Sequence, residues 1–264
     1  MKLTISDKTK LERFSSIFQL LKNWNTTINM TISSDKFYIQ AMDSSHICVA
    51  DIDIRSSWFS SFESNVTYDL SVNAAHFASL MRYSIKHNIL EIKYSDDNNN
   101  NDATGDKLFV NFLNNNETKV KGIYDHHFML NLVEVNDENL EIPIIDYDVE
   151  IEINAEHFNN LLSELNTIGP EFNIICSEES VDVITTGDIS QLKINIPIDD
   201  LNVYAIASGE NINTSFSLNH LYKMCSSTGL SENIKIGISN DIPIQLIYNL
   251  GDDSFVSFHV APKV

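Results

Sequence analysis

The sequence predicts an α+β protein of two similar domains, each a βαβββ unit repeated twice. The hexapeptides Val72-Asn73-Ala74-Ala75-His76-Phe77 and Ile153-Asn154-Ala155-Glu156-His157-Phe158 nearly coincide, which marks an internal repeat. Apolar residues recur at helical spacing in four short segments. Runs with period-two alternation or β-branched content follow each of them.

Met1-Lys2-Leu3-Thr4 opens directly into a strand-like stretch. The first helix is marked by Leu11, Phe14, Ile17, Phe18 and Leu21, and strand-like runs follow at Phe37–Gln40 and Ile47–Ile54. Asn73 suits the N-cap of the second helix, because its side-chain oxygen can accept from a free first-turn amide. That helix carries Phe77, Leu80, Met81 and Ser84 and precedes runs at Ile89–Tyr94 and Leu108–Phe112, which flank an Asn-rich polar loop over 96–106. Asn154 caps the third helix in the same way, ahead of Phe158, Leu161, Leu162 and Leu165. Runs at Phe172–Cys176, Val181–Thr185 and Leu192–Ile196 come next. The fourth helix (Leu218, Leu221, Tyr222, Cys225) follows the strand Thr214-Ser215-Phe216 and precedes Ile234–Ile238, Ile244–Tyr248 and Phe255–Val260. Two units per domain give domains of ~130 residues, an ordinary size. They span 1–132 and 148–264, joined by an acidic connector, 133–147, that contains Pro143.

A chain of 264 residues with 43% hydrophobic content can bury real cores. No apolar run approaches the ~18 residues of a membrane span, and no signal peptide opens the chain, so the expected compartment is cytosol or nucleus and no membrane partner is expected. Cys48, Cys176 and Cys225 lie far apart without a C-x-x-C pair. They read as reduced core residues.

Chemistry is harder to place. The eight glycines are nowhere closer than eight positions, which excludes phosphate-binding loops and nucleophile elbows. His126-His127 has no H-x-x-x-H spacing or neighbouring cysteine and reads as strand surface, so no metal and no cofactor are expected. Asp43, Ser45 and His46 have the residue types of a hydrolytic triad, but neighbours at a strand end point to different faces and cannot form a relay. The pairs Asp51/Asp53 and Glu150/Glu152 read as solvated faces opposite buried isoleucines. Binding, rather than catalysis, is therefore the expected task.

Charge is distributed unevenly. The chain has 17 basic and 37 acidic residues, a net of −20. The four helical segments instead hold six basic residues (Lys10, Arg13, Lys22, Arg82, Lys86, Lys223) against three acidic ones (Glu12, Glu156, Glu164). A mildly positive side, if the four helices share one face of the sheets, and ordinary scatter of a few lysines both fit these counts.

Gln40 to His46 reads Q-A-M-D-S-S-H, Leu140-Glu141-Ile142-Pro143 lies in mid-chain, and Ala261-Pro262-Lys263 lies at the C-terminus, just before Val264. In these motifs the chain resembles the eukaryotic-type sliding clamps, the proliferating cell nuclear antigen (PCNA) family. The resemblance implies the DNA clamp fold and a homotrimeric, non-enzymatic ring that encircles double-stranded DNA without sequence preference. It implies a processivity factor for DNA polymerase and for other replication or repair proteins, served by a clamp loader, in the nucleus or a cytoplasmic replication compartment.

Residue by residue, the resemblance makes Lys10, Arg13, Lys22, Arg82, Lys86, Asn160 and Lys223 DNA-facing. It maps the pocket for a short PCNA-interacting motif onto Met42, His46, Ile47, Val49, Leu140, Ile142, Pro143, Ile242, Pro243, His259, Ala261 and Pro262. Without it, Met42, Leu140 and Ile142 would read as core. It places the subunit interface at Phe128, Leu130 and Leu132 of one copy and Leu192 and Ile194 of the next, through antiparallel pairing of two sheet edges.

The chain also departs from the family pattern. Ser15, Ser16, Ser79, Asn160, Ser163, Asn219 and Ser226 stand where basic residues are expected, so contact with DNA should be weaker. Glu178 and Glu179 replace the modifiable lysine, and His259 replaces the aromatic floor of the pocket. A paralogue acting in transcription or repair, or in a mixed ring, is the alternative within the fold. A hydrolase using Asp43, Ser45 and His46 is the remote one.

Overall fold

The computed structural model describes residues 1–94, 106–114, 122–134, 140–226 and 229–263. Residues 96–105 of the expected Asn-rich loop and 135–139 of the expected connector lie outside the described residues. The chain forms two compact units, one of residues 1–41, 51–139 and 250–255, the other of 42–50, 140–249 and 256–264.

In chain order the first half contributes β1 (Lys2–Ile5), α1 (Lys8–Leu21), β2 (Thr27–Ile32), β3 (Lys36–Met42), β4 (Cys48–Arg55), β5 (Ser61–Glu63), β6 (Tyr68–Asn73), α2 (Ala74–Met81), β7 (Ile89–Lys93), β8 (Lys107–Leu113) and β9 (His126–Asn131). The second half contributes β10 (Val149–Asn154), α3 (Ala155–Asn166), β11 (Glu171–Cys176), β12 (Val181–Thr186), β13 (Gln191–Ile196), β14 (Val203–Ile206), β15 (Ile212–Ser217), α4 (Leu218–Cys225), β16 (Asn233–Ile238), β17 (Ile244–Gly251) and β18 (Ser254–Val260). The βαβββ pattern thus occurs four times, as expected, with β5 and β14 as short additions. β2 is a further strand that the sequence reading does not assign, although Ile28, Met30 and Ile32 alternate and are buried.

In the first unit β5-β1-β7-β8-β9 form one antiparallel sheet, and β2 pairs with both β3 and β6. Helices α1 and α2 pack together, with the Ser15 hydroxyl donating to the Met81 carbonyl at 3.0 Å. Phe14 and Phe18 of α1 meet Phe37, Trp58, Phe59 and Phe77 with ring centroids 4.6–6.4 Å apart. Such edge and tilted pairs add to the stabilisation from burial. The second unit repeats the plan: β13-β12-β11-β15 form one sheet, β14-β10-β16-β17 are neighbours in another, and α3 packs against α4.

The expected caps form. Asn73 accepts from the His76 amide at 2.9 Å, and Asn154 accepts from Glu156 and His157 at 3.0 and 3.1 Å. The three cysteines are buried and unbridged. Asp53 departs from expectation: it is 5% exposed rather than solvated. Lys36 Nζ lies 2.7 Å and Arg55 Nε 3.2 Å from its carboxylate, so neighbouring cations cover it and compensate its lost hydration.

Candidate functional site

The Q-A-M-D-S-S-H motif ends β3 and turns toward β4 around Asp43. Oδ1 accepts from the backbone amides of Ile47 and Cys48 at 2.9 and 2.7 Å, and Oδ2 accepts from the amide of Ser45 at 3.1 Å and from its hydroxyl. Burial opposes the charge of Asp43. The Ser45 hydroxyl and the amides of Cys48, Ser45 and Ile47 outweigh it and hold the carboxyl below its ordinary value. The turn closes with His46 in the left-handed region at φ 58°, which presents its side chain to solvent.

The same turn meets α4. His220 Nε2 lies 3.4 Å from Ser45 Oγ and 3.6 Å from Asp43 Oδ2, while its Nδ1 bonds Ser217 Oγ at 2.7 Å. Sequence reading did not single out His220; its one signal is the Ser217-x-x-His220 spacing at a helix start. The contacts do not make a relay. Nucleophile and orienting carboxylate must sit on opposite imidazole nitrogens, whereas Asp43 and Ser45 share one. The histidine beside Ser45 is His220, not His46.

All twelve residues mapped to the partner pocket belong to the second unit. Met42, Ile47, Val49, Ile142, Ile242, Pro243, Ala261 and Pro262 are half-buried, Leu140 is 48% exposed, and Pro143 and His46 are exposed. Met42, Leu140 and Ile142 are therefore not core residues within this chain. The Ala261 amide donates to the Ile47 carbonyl at 2.9 Å, Pro262 bridges to Phe216, and Lys263 pairs with Glu171. On the other flank, Tyr147 donates to the Pro243 carbonyl at 3.0 Å, its ring lying against Gly237, where a Cβ would meet Cδ2 at 2.6 Å. His259 is buried and bonds Ser257 at 3.1 Å. Ile144, fully exposed in the connector, was missed, although the alternation from Leu140 through Ile142 points to it.

The mapped basic residues differ in availability. Lys10 contacts the Trp58 carbonyl and Asp252 at 2.9 and 2.7 Å, Arg13 donates to the Leu250 carbonyl at 3.0 Å, and Lys22 bonds Gln19 at 3.0 Å. Arg82, Lys86 and Lys223 are exposed, with no ion pair among the described residues. Asn160 is exposed on α3. Lys8, outside the expected first helix, starts α1 and caps the carbonyls of Ser84 and Ile85 at 2.9 Å.

The two strands mapped to the subunit interface are sheet edges. β9 ends the five-stranded sheet and β13 the four-stranded one. Phe128, Leu132, Leu192 and Ile194 are half-buried, and Leu130 is buried within its own unit. His126 and His127, read as strand surface, are held by His87 at 3.0 Å and Asn111 at 2.9 Å.

Comparison with known proteins covers nearly the whole chain. The family model described as Proliferating cell nuclear antigen, N-terminal domain, matches residues 9–139, and the corresponding C-terminal domain matches 141–263. A relative named Proliferating cell nuclear antigen from Chaetomium thermophilum is 25% identical over 265 residues, covering 97% of this chain and 98% of its own length. The Caenorhabditis elegans protein of the same name is 21% identical over 253 residues, covering 94% and 92% respectively.

Proposed function

We propose, since this chain belongs to the proliferating cell nuclear antigen family of DNA sliding clamps, that three copies close head to tail into a ring around duplex DNA and tether a DNA polymerase to it. One observation carries the ring: among the described residues β9 has only β8 and β13 only β12 as a strand neighbour, and Phe128, Leu192 and Ile194 on these edges are half-buried. Long open edges invite pairing, and a heterologous pair that closes makes a ring without leaving an edge exposed. We read 1–132 and 148–264 as the two clamp domains and 133–147 as their connector.

In this reading the ring holds DNA by topology, and Arg82, Lys86 and Lys223 supply weak phosphate contacts that carry no sequence information. The acidic remainder of the surface keeps DNA in the hole. Clamps of this family are non-enzymatic scaffolds, and the Asp43–Ser45–His220 geometry gives no relay. Partner proteins insert an apolar anchor among Met42, Ile47, Leu140, Ile142, Pro243 and Pro262, the usual arrangement of a binding hot spot. The clamp works wherever its polymerase and loader act, in the nucleus or a cytoplasmic replication compartment.

Light scattering at micromolar concentration should report three copies, and primer extension with the cognate polymerase and loader should give longer products when the protein is added. A trimer without longer products would favour a clamp serving transcription or repair, or a mixed ring. That second reading is supported by the engagement of Lys10 and Arg13 within their own unit. His46→Ala should impair partner binding with the trimer intact.

A further inference from the structure

We propose that Asp43, Cys48 and His220 form a binding site for a divalent metal ion of the zinc type, clasping the turn between β3 and β4 to helix α4. The carboxylate oxygen, thiol sulfur and imidazole nitrogen of these residues lie within 4.8 Å of one another. Tetrahedral zinc, with bonds of about 2.0–2.3 Å, places its ligands about 3.3–3.8 Å apart. His220 Nε2 and Asp43 Oδ2, at 3.6 Å, already stand at that separation, and Cys48 Sγ lies within 4.8 Å of both.

Each donor is aimed. Ser217 Oγ, 2.7 Å from Nδ1, holds the His220 ring in place, and the tautomer with its proton on Nδ1 offers the Nε2 lone pair to a metal. Three backbone amides and the Ser45 hydroxyl immobilise the Asp43 carboxylate. Ser45 Oγ, 3.4 Å from His220 Nε2, is placed to hold a metal-bound water, the usual fourth ligand of an open zinc site. A sulfur, nitrogen and oxygen set selects zinc over magnesium or calcium, which require oxygen ligands.

Charge balances as well. On binding, the thiol proton leaves to solvent and the sulfur–metal bond forms. The metal's two positive charges then cancel the thiolate and the carboxylate, which suits a cysteine that is 1% exposed. The clasp ties the turn that carries His46 and Ile47 to the helix that carries Lys223.

The test uses the full chain, freed of metal with a chelator and titrated with Co²⁺ and then Zn²⁺. Elemental analysis should find one zinc per chain, and Co²⁺ should give thiolate charge-transfer absorption. Cys48→Ser should abolish that absorption, while His220→Ala and Asp43→Asn should each weaken binding by at least about tenfold. Ser217→Ala should weaken it by about tenfold through loss of ring orientation. Cys176→Ser, on a distant buried cysteine, should leave it unchanged. Should His220→Ala unfold, His220→Asn serves in its place, with circular dichroism checking each variant. The proposal is overturned if the native chain holds no metal at tenfold molar excess of Zn²⁺. Retention of full affinity by both the Cys48 and His220 variants, or equal competition by Mg²⁺, would also overturn it.

Discussion

Asp43 shows how much one side chain can organise. Its carboxylate satisfies three backbone amides and a hydroxyl in a six-residue turn, which explains why the motif needs an acceptor-only group there. Because the folded carboxyl titrates below its ordinary value of 3.8, its stabilisation is complete above that value. It shrinks as pH falls through the depressed folded value. Acid titration monitored on the turn should show this loss, and Asp43→Asn should remove the pH dependence while costing roughly 1–3 kcal/mol. An unchanged acid profile in the variant would refute the assignment. Asp53 carries the opposite lesson. Alternation with Ile52 and Ile54 reads as a solvated face, but sequence spacing cannot reveal that Lys36 and Arg55 fold over the carboxylate.

Local chemistry makes the helices legible, and distant partners decide how their ends are used. Asn154 caps two amides of α3, so Asn154→Ala should lower stability by about 1 kcal/mol in thermal or denaturant unfolding. Ser217 opens α4 without a side-chain cap bond to the backbone, because its hydroxyl serves His220. Ser217→Ala should therefore cost clearly less stability than Asn154→Ala, and an equal loss would contradict this division of roles. Ser15, which reads as a lost DNA contact, lies buried and bonds α2. A lysine there would have to force the two helices apart.

At the scale of the molecule, function depends on how few cations remain available. Lys10 and Arg13 are committed inside their own unit, leaving Arg82, Lys86 and Lys223 as exposed charges on the mapped surface. Replacing these three by alanine should shorten retention on nicked circular DNA by about tenfold and flatten its salt dependence, since each lost phosphate contact removes a released counterion. Lys10→Ala should instead lower the melting temperature with little effect on retention. The reverse pattern would mean that DNA is held elsewhere.

The sequence by itself determined the fourfold strand–helix–strand repeat, the asparagine caps, the buried cysteines and the motifs of the family, because these depend on residues near each other in the chain. Tertiary structure alone decided which lysines are spent on carbonyls, that Asp53 is covered, and that His220 meets Asp43 and Cys48 from more than 170 positions away. Side-chain partners across such separations are set by how packed elements bring surfaces together, and periodicity along the chain carries no record of that.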